Sequence, residues 1–268
     1  MAKFIPGRLR EIDSSSAKTF DRIRAWINSC DRMHHCVQKE VALPTRVLDV
    51  QHPTGLEKIC LVESQGRCGK YVALSHCWGH TQGISTTKAT FEQRKQAILV
   101  PDLPKTYRDV VSIARLLDIR WLWIDSLCIV QDDVSDWRHE ASKMGNIYAG
   151  AYLTVAASTS NDDSSGCFPQ RVTTKYIPPD QKGYSLRERD MSEMVTVITS
   201  FKGWRSKLYM FPGWMESSTA EKPLKYEVGT VNPPYDPAEE EHLASRAWTL
   251  QERLMSPRII HYGTDQII

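Results

Sequence analysis

The run Trp121-Leu-Trp-Ile124, followed at once by Asp125 and Ser126, constrains the chain more than any other stretch. A short unbroken apolar run bounded by polar residues suits a strand buried on both faces, as in the middle of a parallel sheet. The polar break that follows has two readings. A carboxylate is rarely buried without a partner, so Asp125 is either a structural residue capping a turn or the point where the strand opens into a site. Ligand sites in open α/β sheets lie beyond the carboxyl ends of strands, which favours the second reading.

The flanking segments carry matching signals. Pro104 sits where a helix begins, and Tyr107, Val110, Val111, Ala114 and Leu117 make one apolar face over about 104–118. Downstream, Asp132-Asp-Val-Ser-Asp136 puts acidic groups at a helix start. That helix is expected from about 135 to 149, with Trp137, Met144, Ile147 and Tyr148 on its apolar side and Glu140 on or beside that side. Strands are expected at 71–75, 121–125 and 152–157. The alternation predicts an α/β fold, mainly a parallel sheet flanked by helices. Tyr71-Val-Ala-Leu-Ser-His-Cys-Trp-Gly79 has a strand-like apolar start and ends in a Gly-containing loop that carries Ser75, His76 and Trp78.

Residues 1–45 read as an N-terminal helical extension. Ser14-Ser-Ser16 precedes Phe20, Ile23, Trp26 and Ile27 at helical spacing, with an end near Cys30. Cys30-Asp-Arg-Met-His-His-Cys36 holds ligand types for zinc but lacks Cys-x2-Cys spacing, so no metal is expected. Leu43–Val50 and Lys58–Val62 suggest a hairpin around His52-Pro-Thr-Gly55. The body of the domain is expected over 46–268. Residues 158–240 form an irregular insertion with strand-like pieces such as Met194–Ile198, packed on the core by Trp204 and Trp214. Order returns with a helix over 242–255 and a strand at 258–262, and the C-terminal end is read as truncated.

Composition closes off other classes. Of 268 residues, 41% are hydrophobic and the net charge is +2, with no clustered basic face for nucleic acid. No apolar run approaches the roughly 18 residues of a membrane span, and the start has no signal-peptide core. Seven scattered cysteines read as free thiols of an intracellular protein. No Gly-x-Gly-x-x-Gly fingerprint is present, which argues against a dehydrogenase-type NAD site.

Three blocks together resemble the fungal HET (heterokaryon incompatibility) domain family: Tyr71–Gly79, Leu103–Ala157 and Arg246–Arg258. The middle block holds Trp123-Ile-Asp-Ser-Leu-Cys-Ile-Val-Gln131, Asp136-Trp137, Met144 and Tyr148, and Leu43-Pro-Thr-Arg46 upstream is also similar. Ala247 departs from the usual Gly. The resemblance implies a fungal cytoplasmic protein of non-self recognition and regulated cell death, with a TIR/flavodoxin-like core. Trp137-Arg-His-Glu140 is similar to the TIR Trp-x-x-Glu pattern on the helix after the third strand, whose Glu cleaves NAD. It implies Glu140 and Asp125 as catalytic residues, and Ser75, Trp78, Ser126, Trp137, Arg246 and Glu252 as substrate-binding residues. NAD would be a substrate, with no cofactor. A carboxylate steadies the oxocarbenium-like state of such a cleavage, an aromatic ring such as Trp78 orients the nicotinamide, and Arg246 meets the pyrophosphate. The expected partners are a nucleotide, a second copy of the chain or a sensor protein. Two rival readings stay open: a domain that signals by self-assembly alone, and a hydrolase using Cys77 or Cys128 with His76 and Asp125.

Overall fold

The computed structural model describes residues 13–34, 41–79, 83–169, 195–201, 204–210, 243, 247–263 and 267; for 195–201, 204–210 and 247–248 it describes the backbone alone. In chain order the elements are α1 (Ala17–Met33), β1 (Val41–Ala42), β2 (Arg46–Asp49), β3 (Lys58–Glu63), β4 (Cys68–Gly69), β5 (Tyr71–Ser75), α2 (Phe91–Gln96), β6 (Ile98–Leu99), α3 (Lys105–Leu116), β7 (Trp121–Trp123), α4 (Asp125–Cys128), α5 (Val134–Ala141), α6 (Met144–Gly150), β8 (Leu153–Ala156), β9 (Val195–Phe201), β10 (Trp204–Met210), α7 (Ala247–Met255) and β11 (Ile259–His261).

The apolar runs become the middle of a seven-stranded mixed sheet in the order β11-β8-β5-β7-β2-β3-β6. β11, β8, β5 and β7 are parallel, with Tyr71 opposite Trp121, Val72 opposite Leu153 and Ile259 opposite Thr154. β2, β3 and β6 extend the sheet antiparallel beyond β7. Val72, Ala73, Leu74, Leu122, Trp123 and Val155 are fully buried, as expected of strands covered on both faces. Numbered along the chain, the four parallel strands stand in the order 2-1-3-4. That is the start of the flavodoxin-like order, whose switch point lies between the first and third strands. Here those strands are β5 and β8.

The expected strand 121–125 stops at Trp123. Leu127 and Cys128 N–H groups donate back to the Ile124 carbonyl at 3.1 and 2.8 Å, so the chain turns into α4 while the side chains remain apolar. The expected helix over 135–149 is two helices. The Lys143 N–H donates to the Glu140 carbonyl three residues back, at 3.0 Å, and this tighter turn closes α5 before α6 begins. The apolar face of α6 therefore does not continue that of α5. Trp137 is 48% exposed, whereas Ile147 and Tyr148 are buried. Two tyrosines tie α6 to β5: Tyr148 Oη donates to the Leu74 carbonyl at 3.0 Å, and Tyr71 Oη donates to the Ile147 carbonyl.

Residues 13–169 and 237–268 form one compact unit. The N-terminal helix belongs to it. Ser16 caps α1 by accepting from Thr19 N–H at 3.2 Å, and Phe20, Ile23 and Ile27 enter the main core while Trp26 is exposed. Asp31 accepts from Tyr152 Oη at 2.7 Å and pairs with Arg258. The unit 1–12 with 170–236 is separate and contains the antiparallel hairpin β9–β10, with Phe201 opposite Trp204. β9 covers most of the strand expected at 194–198. The expected packing of Trp204 and Trp214 lies outside the described side chains.

Candidate functional site

Ser75 is the last residue of β5, at the switch point, and its Oγ donates to Glu252 Oε2 of α7. Both side chains are buried, Glu252 at 6% exposure. α7 leads into β11 and so lies between the third and fourth parallel strands. On the other side of β5, Trp78 Nε1 donates to Asp125 Oδ2 at 2.8 Å, and Asp125 Oδ1 accepts from the Ser126 N–H at 2.7 Å. A buried polar chain joins the two strand ends: His76 Nε2 and Tyr107 Oη share a hydrogen bond of 3.0 Å, and Tyr107 Oη and Ser126 Oγ one of 2.8 Å. Burial, and then the neighbouring Asp125, push the Tyr107 phenol upward, so it stays protonated and carries a hydrogen through this chain. Ser158 Oγ, just after β8, and His261 Nδ1, at the end of β11, share a further bond of 3.0 Å.

The loop that presents Trp78 is held by close approach. Gly79 has φ +77°, and a Cβ there would fall 2.4 Å from Asp162 Cβ. Only glycine combines that conformation with that contact. Asp162 is fixed in turn by Ser164 and Ser165, whose hydrogen bonds hold its carboxyl below the usual range.

Glu140, on α5, has other neighbours. It is 1% exposed, and its Oε1 has no hydrogen-bond partner but sits 3.5 Å from Lys143 Nζ and 3.8 Å from His139 Nε2. α5 follows β7, the second parallel strand. The Trp-x-x-Glu pattern of the TIR comparison belongs after the third, so that correspondence is not met. One turn earlier, Asp136 accepts two bonds from Arg46 Nη2, at 2.8 and 2.6 Å, while Arg46 Nε donates to the Cys128 carbonyl at 2.7 Å and Val130 N–H donates to Asp136 at 2.8 Å. This clamp pins α5 to β2 and α4. A separate cavity of about 470 Å3 lies by α6, lined among others by Leu43, Thr45, Tyr71, Lys143 and Asn146.

Of the residues singled out from sequence, Ser75 meets Glu252, and Trp78 meets Asp125 and, through it, Ser126. Trp137 is largely exposed and bonded to none of them, and Arg246 lies outside the described residues. Tyr107, Ser158, His261 and the Arg46–Asp136 pair are the polar groups that the sequence did not assign to a site, and His76, assigned in the cysteine-hydrolase reading, bonds Tyr107. Burial pushes the Cys128 thiol up to about 12, which removes its nucleophilic form at neutral pH. Cys30 and His34 are described but His35 and Cys36 are not, and among the described residues no group of His, Cys, Asp and Glu could hold a metal ion. No helix among them is long and apolar enough to cross a membrane.

Sheet, switch point and edge residues together define a doubly wound α/β domain with a polar site beyond its central strand. The family model described as Heterokaryon incompatibility protein (HET) matches residues 71–252, and the chain belongs to that family. No curated protein and no solved structure matches the chain.

Proposed function

We propose that this heterokaryon incompatibility domain is a cytoplasmic cell-death effector that cleaves the nicotinamide–ribose bond of NAD or a related nucleotide. The observation that carries the reading is the Ser75–Glu252 pair at the switch point. A carboxylate that accepts from a serine hydroxyl can exchange that partner for a ribose hydroxyl. Once there, its charge steadies the oxocarbenium-like transition state. Glu252 fits this role better than Glu140, whose oxygen faces Lys143 and His139. Trp78 supplies a ring face for nicotinamide, and Arg246 is the cation assigned to the pyrophosphate. Activity is expected to need assembly with further copies or with a sensor protein.

A second reading, signalling by self-assembly alone, draws on the outer face of α7, where Leu250 is 62% and Leu254 73% exposed. Purified protein incubated with NAD at high concentration separates the two. The cleavage reading expects nicotinamide release that is lost in Glu252→Gln. No release from wild type, together with undiminished cell death on expression of Glu252→Gln, would leave the assembly reading standing.

A further inference from the structure

Trp78 and Asp125 form a unit whose chemistry extends past a stacking surface. Asp125 is fixed at both oxygens, by the Trp78 indole at 2.8 Å and by the Ser126 N–H at 2.7 Å. The indole is thereby tied by its nitrogen edge, yet the residue is 36% exposed. The face of an aromatic ring is its negative side. A carboxylate accepting the indole hydrogen adds to that negative potential and brings a full charge to the ring's edge.

Other aromatic rings of the domain show how such faces are used. Arg120 lies over Trp121 at 4.7 Å, Lys70 and Arg258 over Tyr152 at 4.2 and 4.8 Å, and Lys95 over Phe91 at 5.2 Å. Each of these rings has its own cation. Among the described residues Trp78 has none, although, like Tyr152 on Asp31, it has a carboxylate bonded to its polar edge.

We infer that Trp78 on Asp125 is a receptor for a flat aromatic cation, and that it selects the positively charged pyridinium form of a nicotinamide nucleotide over the neutral reduced form. The second half rests on the cleavage reading; the first does not. Asp125 then acts as a positioning residue, through the indole, rather than on the reacting bond.

The test uses two probes that lack ribose and so cannot be cleaved: 1-methylnicotinamide, a cation, and nicotinamide, its neutral counterpart. Each is titrated into the whole chain while the Trp78 indole N–H is followed by NMR, assigned by its absence in Trp78→Leu. The cation is expected to bind about tenfold more tightly than the neutral ring. Asp125→Asn, which keeps an acceptor but not the charge, should shrink that ratio several-fold and leave nicotinamide binding within about twofold. Trp78→Phe, which keeps a ring without the tie, should shrink it likewise, and serves alone if Asp125→Asn does not fold. A wild-type ratio near one, or no response at Trp78, overturns the inference. So does a ratio unchanged in the variants. A tenfold ratio without nicotinamide release from NAD at high protein concentration, together with undiminished cell death from Glu252→Gln, sinks the cleavage reading and leaves the receptor standing. Release without the ratio does the reverse.

Discussion

Glu140 and Glu252 are both buried carboxylates on short helices, each in a block that resembles the family, yet their surroundings differ in kind. Glu140 faces Lys143 and His139, one turn from the Arg46–Asp136 clamp. Glu252 accepts from a serine hydroxyl at the end of the central strand. The difference teaches that burial alone does not tell what a carboxylate is bonded to. Lys143 offsets the charge of Glu140, whereas the serine hydroxyl at the switch point is a partner that a ligand hydroxyl can displace.

The comparison breaks if the α5 side turns out to matter for chemistry. The largest expected effect is structural: Arg46→Ala leaves Asp136 without its partner and should cost about 3 kcal/mol in urea unfolding. Nicotinamide release per folded molecule should stay near wild type. Next comes Glu252→Gln, expected to slow release about a hundredfold, or roughly 2.7 kcal/mol, while thermal stability changes little. Glu140→Gln should keep release within about threefold. A hundredfold loss there instead would reverse the two roles.

Smaller effects sharpen the picture. Gly79→Ala forces a side chain onto Asp162 at positive φ, and should lower stability by about 1–3 kcal/mol and weaken binding at Trp78. Asp163 offers a test of sign. Burial, and then Asp162, raise its carboxyl above the ordinary 3.8. Its protonated form is therefore favoured by folding, and that stability is present below pH 3.8 and lost as pH rises through the folded value. Asp163→Asn should accordingly stabilise the domain at pH 7 by about 1 kcal/mol or less. In a series of urea melts the gain should vanish below pH 3.8.

The parallel core was legible because β5, β7 and β8 are apolar runs with clear helical periodicity between them. The ends of elements were less so. Ile124 continues the apolar pattern after the backbone has turned, and Met144 continues the apparent face of α5 after that helix has closed. Trp137 looked like a core residue for the same reason. Glu140 was rightly set on the inner side, since spacing reports direction. Its partner Lys143 stands three residues on, a spacing at which helical side chains are neighbours, whereas the turn that closes α5 between them did not show in the pattern. Ser75 and Glu252 are separated by 177 positions, and no local periodicity connects them. They entered as candidates through the family blocks alone, and Tyr107, which links His76 to Ser126, read as an ordinary core position of α3.

The docking of α1 has a consequence for how the chain is made. Asp31 and Arg258 are 227 residues apart, and the guanidinium is otherwise buried beside Cys30 and the Tyr152 ring. During synthesis α1 leaves the ribosome long before its partner exists. This bolt is thus set only once α7 and Arg258 have emerged, and contacts of such long sequence separation are slow to form. Until then α1 lacks its ion pair, so this joint is completed late in synthesis.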